Sequence, residues 1–81
     1  MYFTYIIYSS SIDKYYIGAT ADLTERLRKH NGKNKGFTQR ATDWQIKFQQ
    51  VFQTMKEAKD FEKKIKSWKS RKTIEKLIEE N

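Results

Sequence analysis

The 81-residue chain has no cysteine and a single histidine, His30. Disulfides and thiolate metal sites are therefore excluded, as suits a reducing cytosol. A zinc centre would have to draw nearly all of its ligands from carboxylates, against the usual preference of that metal. No window approaches the ~20 consecutive apolar residues of a membrane span. The opening MYFTYIIYSSS lacks the basic leader and long apolar run of a signal peptide. There is no P-loop, no dinucleotide fingerprint and no serine on a nucleophile elbow. A soluble, cytoplasmic protein without an organic cofactor is the expectation.

Acidic residues are also scarce. Ten Asp and Glu face seventeen Lys and Arg, giving +7 and a pI near 9.7. A small domain so basic favours a polyanionic partner. The charge is concentrated: Arg26, Arg28, Lys29, Lys33, Lys35 and Arg40 follow Glu25 with no further acid among them, whereas only Lys14 precedes it. The alternative is a solvated surface that serves solubility. Concentration in one helix and the loop after it favours nucleic acid.

Hydrophobic content is only 37%, but its patterning and twelve aromatic residues argue for a folded domain. Length allows one small domain, residues 1–81, with modest stability. Tyr2 to Gly18 reads YFTYIIYSSSIDKYYIG. Two aromatic and β-branched runs flank a polar segment, which predicts a β-hairpin. Tyr5 and Tyr16 lie eleven residues apart. With an even-numbered loop they project from one face.

Asp22 with Glu25 three residues on predicts a helix from Leu23 to Asn31, ended by Gly32 in a left-handed cap. Leu23, Leu27 and His30 share its apolar face, with Arg26 at the edge. Gly32 to Asp43 reads as a loop. WQIKFQQVF alternates Trp44, Ile46 and Phe48 against polar residues and predicts a third, half-buried strand. Thr54 and Glu57 open a second helix, whose stripe Met55, Ala58, Phe61, Ile65, Trp68 is amphipathic. Ser70 caps a short third helix with Ile74, Leu77 and Ile78 inward. The expected class is α+β, in the order β-β-α-β-α-α.

Tyr5, Tyr16, Arg26, His30 and Glu62 are the candidates for chemistry, and each has an ordinary alternative. Strand tyrosines commonly form core edges. Arg26 could position a phosphate without catalysing anything. A histidine beside an apolar face is often structural, and Glu62 could simply pair with Lys66 one turn on.

In combination, Tyr5, then Tyr16-Ile17-Gly18 after ten residues, then Arg26-x-x-x-His30 on a helix, resemble the GIY-YIG nuclease superfamily. The likeness is greatest to its small stand-alone members, with stretches like KYYIGAT-x-DL-x-x-RL-x-x-H and KxIKxWKSRK, and it covers essentially the whole chain. The first half of the motif is Phe3-Thr4-Tyr5, with only the tyrosine kept. No asparagine follows Glu62 before Asn81, although several family nucleases carry one.

The resemblance implies a three-stranded antiparallel sheet flanked by helices and metal-dependent cleavage of DNA. It implies Tyr5 as general base, Tyr16 as its positioning partner and Arg26 on the scissile phosphate. His30 would handle protons, and Glu62 would hold Mg²⁺ or Mn²⁺. Arg28, Lys29, Lys33, Lys35 and Arg40 would serve nucleic-acid binding. With no appended recognition domain in the sequence, cleavage would be weakly sequence-selective or structure-selective, and a repair-related action on damaged or branched DNA is the expectation. The alternative is a non-catalytic nucleic-acid-binding module of the same fold.

Overall fold

The computed structural model describes residues 1–32 and 41–80, so Lys33, Lys35 and Arg40 lie outside the described residues. The elements are β1 (Tyr2–Ser9), β2 (Lys14–Thr20), α1 (Leu23–Asn31), β3 (Gln45–Phe52), α2 (Met55–Ser67) and α3 (Arg71–Glu79). They follow the order expected. The strands form one antiparallel sheet, β2-β1-β3, with the first strand in the middle. Among the described residues no helix is long and apolar enough to cross a membrane.

The helix starts are where the capping patterns put them. The Asp22 carboxylate accepts from the Glu25 amide, the Thr54 hydroxyl from Glu57, and the Ser70 hydroxyl from Thr73. Each satisfies an amide that the helix itself leaves unpaired. Gly32 departs from expectation. Its backbone is extended (φ −92°, ψ −168°), so α1 ends without a left-handed residue. The Asn31 side chain instead holds the exit, donating to the Trp44 carbonyl at 3.1 Å and accepting from the Trp44 amide at 2.7 Å. One amide thus pins the start of β3 to the end of α1.

The sheet separates two apolar clusters. Tyr5, Ile7, Ala41 and Trp44 pack with Leu23, Leu27 and Ile46 on the α1 side. Ile6, Ile17, Phe48 and Ile65 pack with Phe61, Trp68 and Ile74 on the side of α2 and α3. Strand alternation accounts for Ile6 and Ile7 feeding opposite clusters. Alternation alone would place Ile46 and Phe48 on one face. A bulge opposite Ile6 and Ile7 separates them, because Ile6 pairs with Phe48 while Ile7 pairs with Ile46. The extra residue, Lys47, switches the face on which the rest of β3 is read.

The hairpin tip is fastened twice. On one side the Asp43 carboxylate accepts from the hydroxyls of Ser9, Ser10 and Ser11 and from the Ser11 amide. On the other, Arg71 of α3 grips the Asp13 carboxylate and lies over the Tyr15 ring at 5.2 Å. The Ser9 and Ser11 bonds hold the Asp43 carboxyl down at about 2, below its ordinary 3.8. A depressed folded-state value means that this fastening is complete above the ordinary value and is lost as pH falls through about 2. The Ser11 amide resonance should therefore titrate with a midpoint near 2. A midpoint at the ordinary aspartate value would contradict the bonded turn.

Candidate active site

The site is assembled on the α1 face of the hairpin. Tyr5 pairs across the ladder with Gly18, and Ile7 pairs with Tyr16. Four turn residues, Ser10 to Asp13, join the strands, so Tyr5 and Tyr16 are diagonal neighbours on one face. The Tyr5 phenol is hydrogen-bonded to His30 Nε2 at 2.8 Å. The Tyr16 ring lies 4.9 Å from the His30 ring between centroids. His30 is buried at 4% exposure. Among the described residues, its Nδ1 has no hydrogen-bond partner.

Gly18 has a direct steric role. A Cβ built there would stand 2.5 Å from the Tyr5 hydroxyl oxygen and 2.7 Å from its ring carbon Cζ. The phenol lies across the bare backbone of β2, and its far end is fixed by His30. Gly18→Ala should therefore displace Tyr5, at about 1–3 kcal/mol of overpacking, and break the Tyr5–His30 bond. Thermal melts and a crystal structure of the variant would check both. A wild-type melting point with Tyr5 unmoved would contradict this account.

Charge completes the arrangement. Burial pushes the Tyr5 phenol well above its ordinary 10.0. Tyr16 and Glu62 add to the rise, and Arg26 opposes it. Burial, and secondarily Arg26, push the His30 imidazole below its ordinary 6.5. Arg26 and Glu62 thus act on Tyr5 from α1 and α2 respectively, with opposite signs. A neutral imidazole facing a neutral phenol is the resting state at neutral pH. Arg26 is exposed and makes no salt bridge among the described residues. With Lys29 it borders a cavity of about 300 Å³ that also includes Thr20, Asp22 and Met55.

The basic residues expected on α1 diverge. Lys29 stands beside Arg26 at that cavity, whereas Arg28 is clamped by Glu25 through two hydrogen bonds, at 2.6 and 3.0 Å. Glu62 is paired with Lys66 at 2.6 Å, and Lys66 Nζ lies 6.0 Å from the centre of the Tyr16 ring. The i,i+4 pair was legible in the sequence. Its proximity to Tyr16 was not, because it depends on β2 being the edge strand alongside α2.

With this geometry in place, comparison with known families is decisive. The GIY-YIG catalytic domain matches residues 1–75. The chain belongs to the GIY-YIG family. Its domain is therefore of nuclease type, with nucleic acid as the class of substrate. No curated protein and no solved structure matches the chain. The glycine of the YIG half is the one that admits Tyr5, which gives that part of the motif a local physical reason.

Nucleases of this family are generally dependent on divalent metal. Among the described residues no three His, Asp or Glu side chains cluster as a ligand set. Glu62 offers a single carboxylate at 20% side-chain exposure. A hard cation that keeps most of its water and takes substrate phosphate oxygens needs little more from the protein, so the donor chemistry fits Mg²⁺. Lys66 occupies Glu62 Oε2 and would have to share that carboxylate.

Proposed function

We propose that this GIY-YIG domain hydrolyses DNA phosphodiester bonds in a reaction dependent on Mg²⁺ or Mn²⁺. The observation that carries the reading is the Tyr5–His30 hydrogen bond, within electrostatic reach of Arg26 and Glu62. A phenol above its ordinary pKa is a poor base unless its own proton has somewhere to go. In the neutral tautomer that carries its proton on Nδ1, the Nε2 of His30 is that acceptor. As water attacks phosphorus, the Tyr5 oxygen takes the water's proton and passes its own to Nε2. The new P–O bond forms as the bond to the leaving sugar oxygen breaks, that oxygen takes a proton from solvent water, and His30 then returns its extra proton to solvent.

Arg26 holds the non-bridging oxygens and stabilises the charge that grows on them. Tyr16 packs on His30 and holds the imidazole towards Tyr5. At 2% exposure Tyr5 is withheld from bulk water in the free domain, so delivery of the reacting water is coupled to substrate binding. Glu62 would hold the divalent ion, which would supply Lewis-acid polarisation of the phosphate. Selectivity would come from the shape of the DNA, such as a branch or a damaged site, in repair or a related process.

A second reading, a nucleic-acid-binding module without turnover, draws support from the Glu62–Lys66 pair, which already satisfies the carboxylate. A cleavage assay on single-stranded, duplex and branched DNA separates the two. Turnover should require Mg²⁺ or Mn²⁺, stop in EDTA and return on adding excess metal. Glu62→Gln should shift the metal requirement to higher concentration. Salt-sensitive binding with no cleavage of any substrate would favour the second reading.

A further inference from the structure

The KxIKxWKSRK stretch has no role in the site just described, apart from Lys66. It borders a second cavity of about 340 Å³ between β2 and the turn joining α2 to α3. Ile17, Ile65 and Ile74 line this cavity, and Lys14, Lys66, Lys69 and Arg71 surround it, with Asp13 the sole carboxylate there among the described residues. Arg71 is already committed to Asp13 and Glu75, which neutralises that carboxylate. Lys14 and Lys69 are exposed and form no salt bridge among the described residues. Lys66 belongs to both places, since its ammonium pairs with Glu62 and stands over Tyr16.

The backbone supplies an independent observation. Lys69 has φ 50°, one of two non-glycine residues in the left-handed region among the described residues. The position follows the end of α2, where glycine is the usual choice because a Cβ is strained there. Backbone strain of this kind clusters at functional sites, where the surrounding structure holds it in place. The Lys69 ammonium borders a groove that already carries excess positive charge. The groove lies on the α2 side of edge strand β2 and meets the Glu62–Tyr16 edge of the site through Lys66.

We propose that Lys14 and Lys69 bind the phosphate backbone of the DNA that enters the Tyr5–His30 site, as a non-catalytic contact flanking the scissile position. The inference rests on the nuclease reading of that site. The groove lies across the sheet from Tyr5, so it fixes where the strand passes the edge formed by β2. Arg26 fixes which phosphate reacts.

Lys69→Gly gives the proposal a test with two opposed signs. Removing the strained Cβ should leave the melting temperature unchanged or higher, while removing the ammonium should weaken DNA binding. Anisotropy of a fluorescein-labelled duplex DNA in EDTA, over a range of salt, reads the second effect. Lys69→Gly and Lys14→Gln should each reduce the salt slope by about 1. Each should cost affinity approaching tenfold at about 0.1 M salt, the weight of one released counterion.

Lys64→Gln removes the same charge from the other side of α2, two residues from Lys66 and so about 200° around the helix. It should alter neither the slope nor the affinity. Wild-type slope and affinity in both groove variants would overturn the proposal while leaving the nuclease reading intact. So would a loss in Lys64→Gln equal to theirs, or a lowered melting temperature in Lys69→Gly. Failure of the wild-type domain to bind the duplex at any salt would also overturn the proposal, while the nuclease reading is decided separately by cleavage of the single-stranded and branched substrates.

Discussion

Tyr5→Phe is expected to slow DNA cleavage about 100- to 10,000-fold, the range over which a positioned general base contributes. That corresponds to about 2.7–5.5 kcal/mol of transition-state stabilisation. The substitution keeps the ring that packs with Ile7 and Trp44 and still clears Gly18. It removes only the oxygen that bridges the reacting water and His30 Nε2. The buried imidazole then loses its partner, at a stability cost of about 1–3 kcal/mol, so the variant must be assayed below its own melting transition. Affinity for DNA should be unchanged, since Tyr5 is too buried to contribute to initial phosphate contact. The pH dependence of kcat/KM gives a second readout. His30 must be neutral to accept the proton, and its pKa lies below the ordinary 6.5. Wild-type activity should therefore hold as pH falls past that value and decline only below it. An acidic limb centred above it would contradict the relay.

Arg26→Ala should lower kcat about 100- to 1,000-fold, by analogy with removal of a single preorganised transition-state donor. Its exposed guanidinium forms no salt bridge among the described residues, so stability should change by no more than about 0.5 kcal/mol. Loss of its positive charge also acts on its neighbours. The Tyr5 phenol becomes harder to ionise, and the His30 imidazole becomes easier to protonate. The acidic limb of the kcat/KM profile should accordingly move to higher pH in Arg26→Ala. Arg26→Lys restores that charge without the planar fork that grips two phosphate oxygens. It should return the pH profile to the wild-type position while recovering only part of the rate. A variant that lost rate but kept the wild-type pH profile would leave Arg26 as a distant phosphate contact.

Much of this fold was legible because its signals are local. Asp22, Thr54 and Ser70 each announce a helix within four residues, and the even-numbered turn decides on its own that Tyr5 and Tyr16 share a face. What was hidden depends on partners far along the chain. The bulge at Lys47 leaves the alternation of Trp44, Ile46 and Phe48 intact in sequence while sending Phe48 to the opposite core. Ser9 at the end of β1 and the turn serines Ser10 and Ser11 look like ordinary polar residues until Asp43 is placed against them. The stacking of Arg26 and His30 on α1 could be read from helical spacing. The hydrogen bond from His30 to Tyr5 could not, because it requires knowing that α1 packs on the hairpin face bearing that phenol. Lys69 resembles any other lysine of a basic tail, since a positive φ leaves no trace in a sequence whose residue there is not glycine.

Single-turnover cleavage of end-labelled DNA, at protein concentrations that saturate binding and in the presence of Mg²⁺, tests the phosphodiester-cleaving site most directly. Wild type, Tyr5→Phe and Arg26→Ala should be compared on single-stranded, duplex and branched substrates. Wild type is predicted to cut at least one of them, while both variants remain bound yet cut it at least about 100-fold more slowly. Saturated wild-type protein that cuts none of the three, or Tyr5→Phe that cuts at the wild-type rate, would contradict the account.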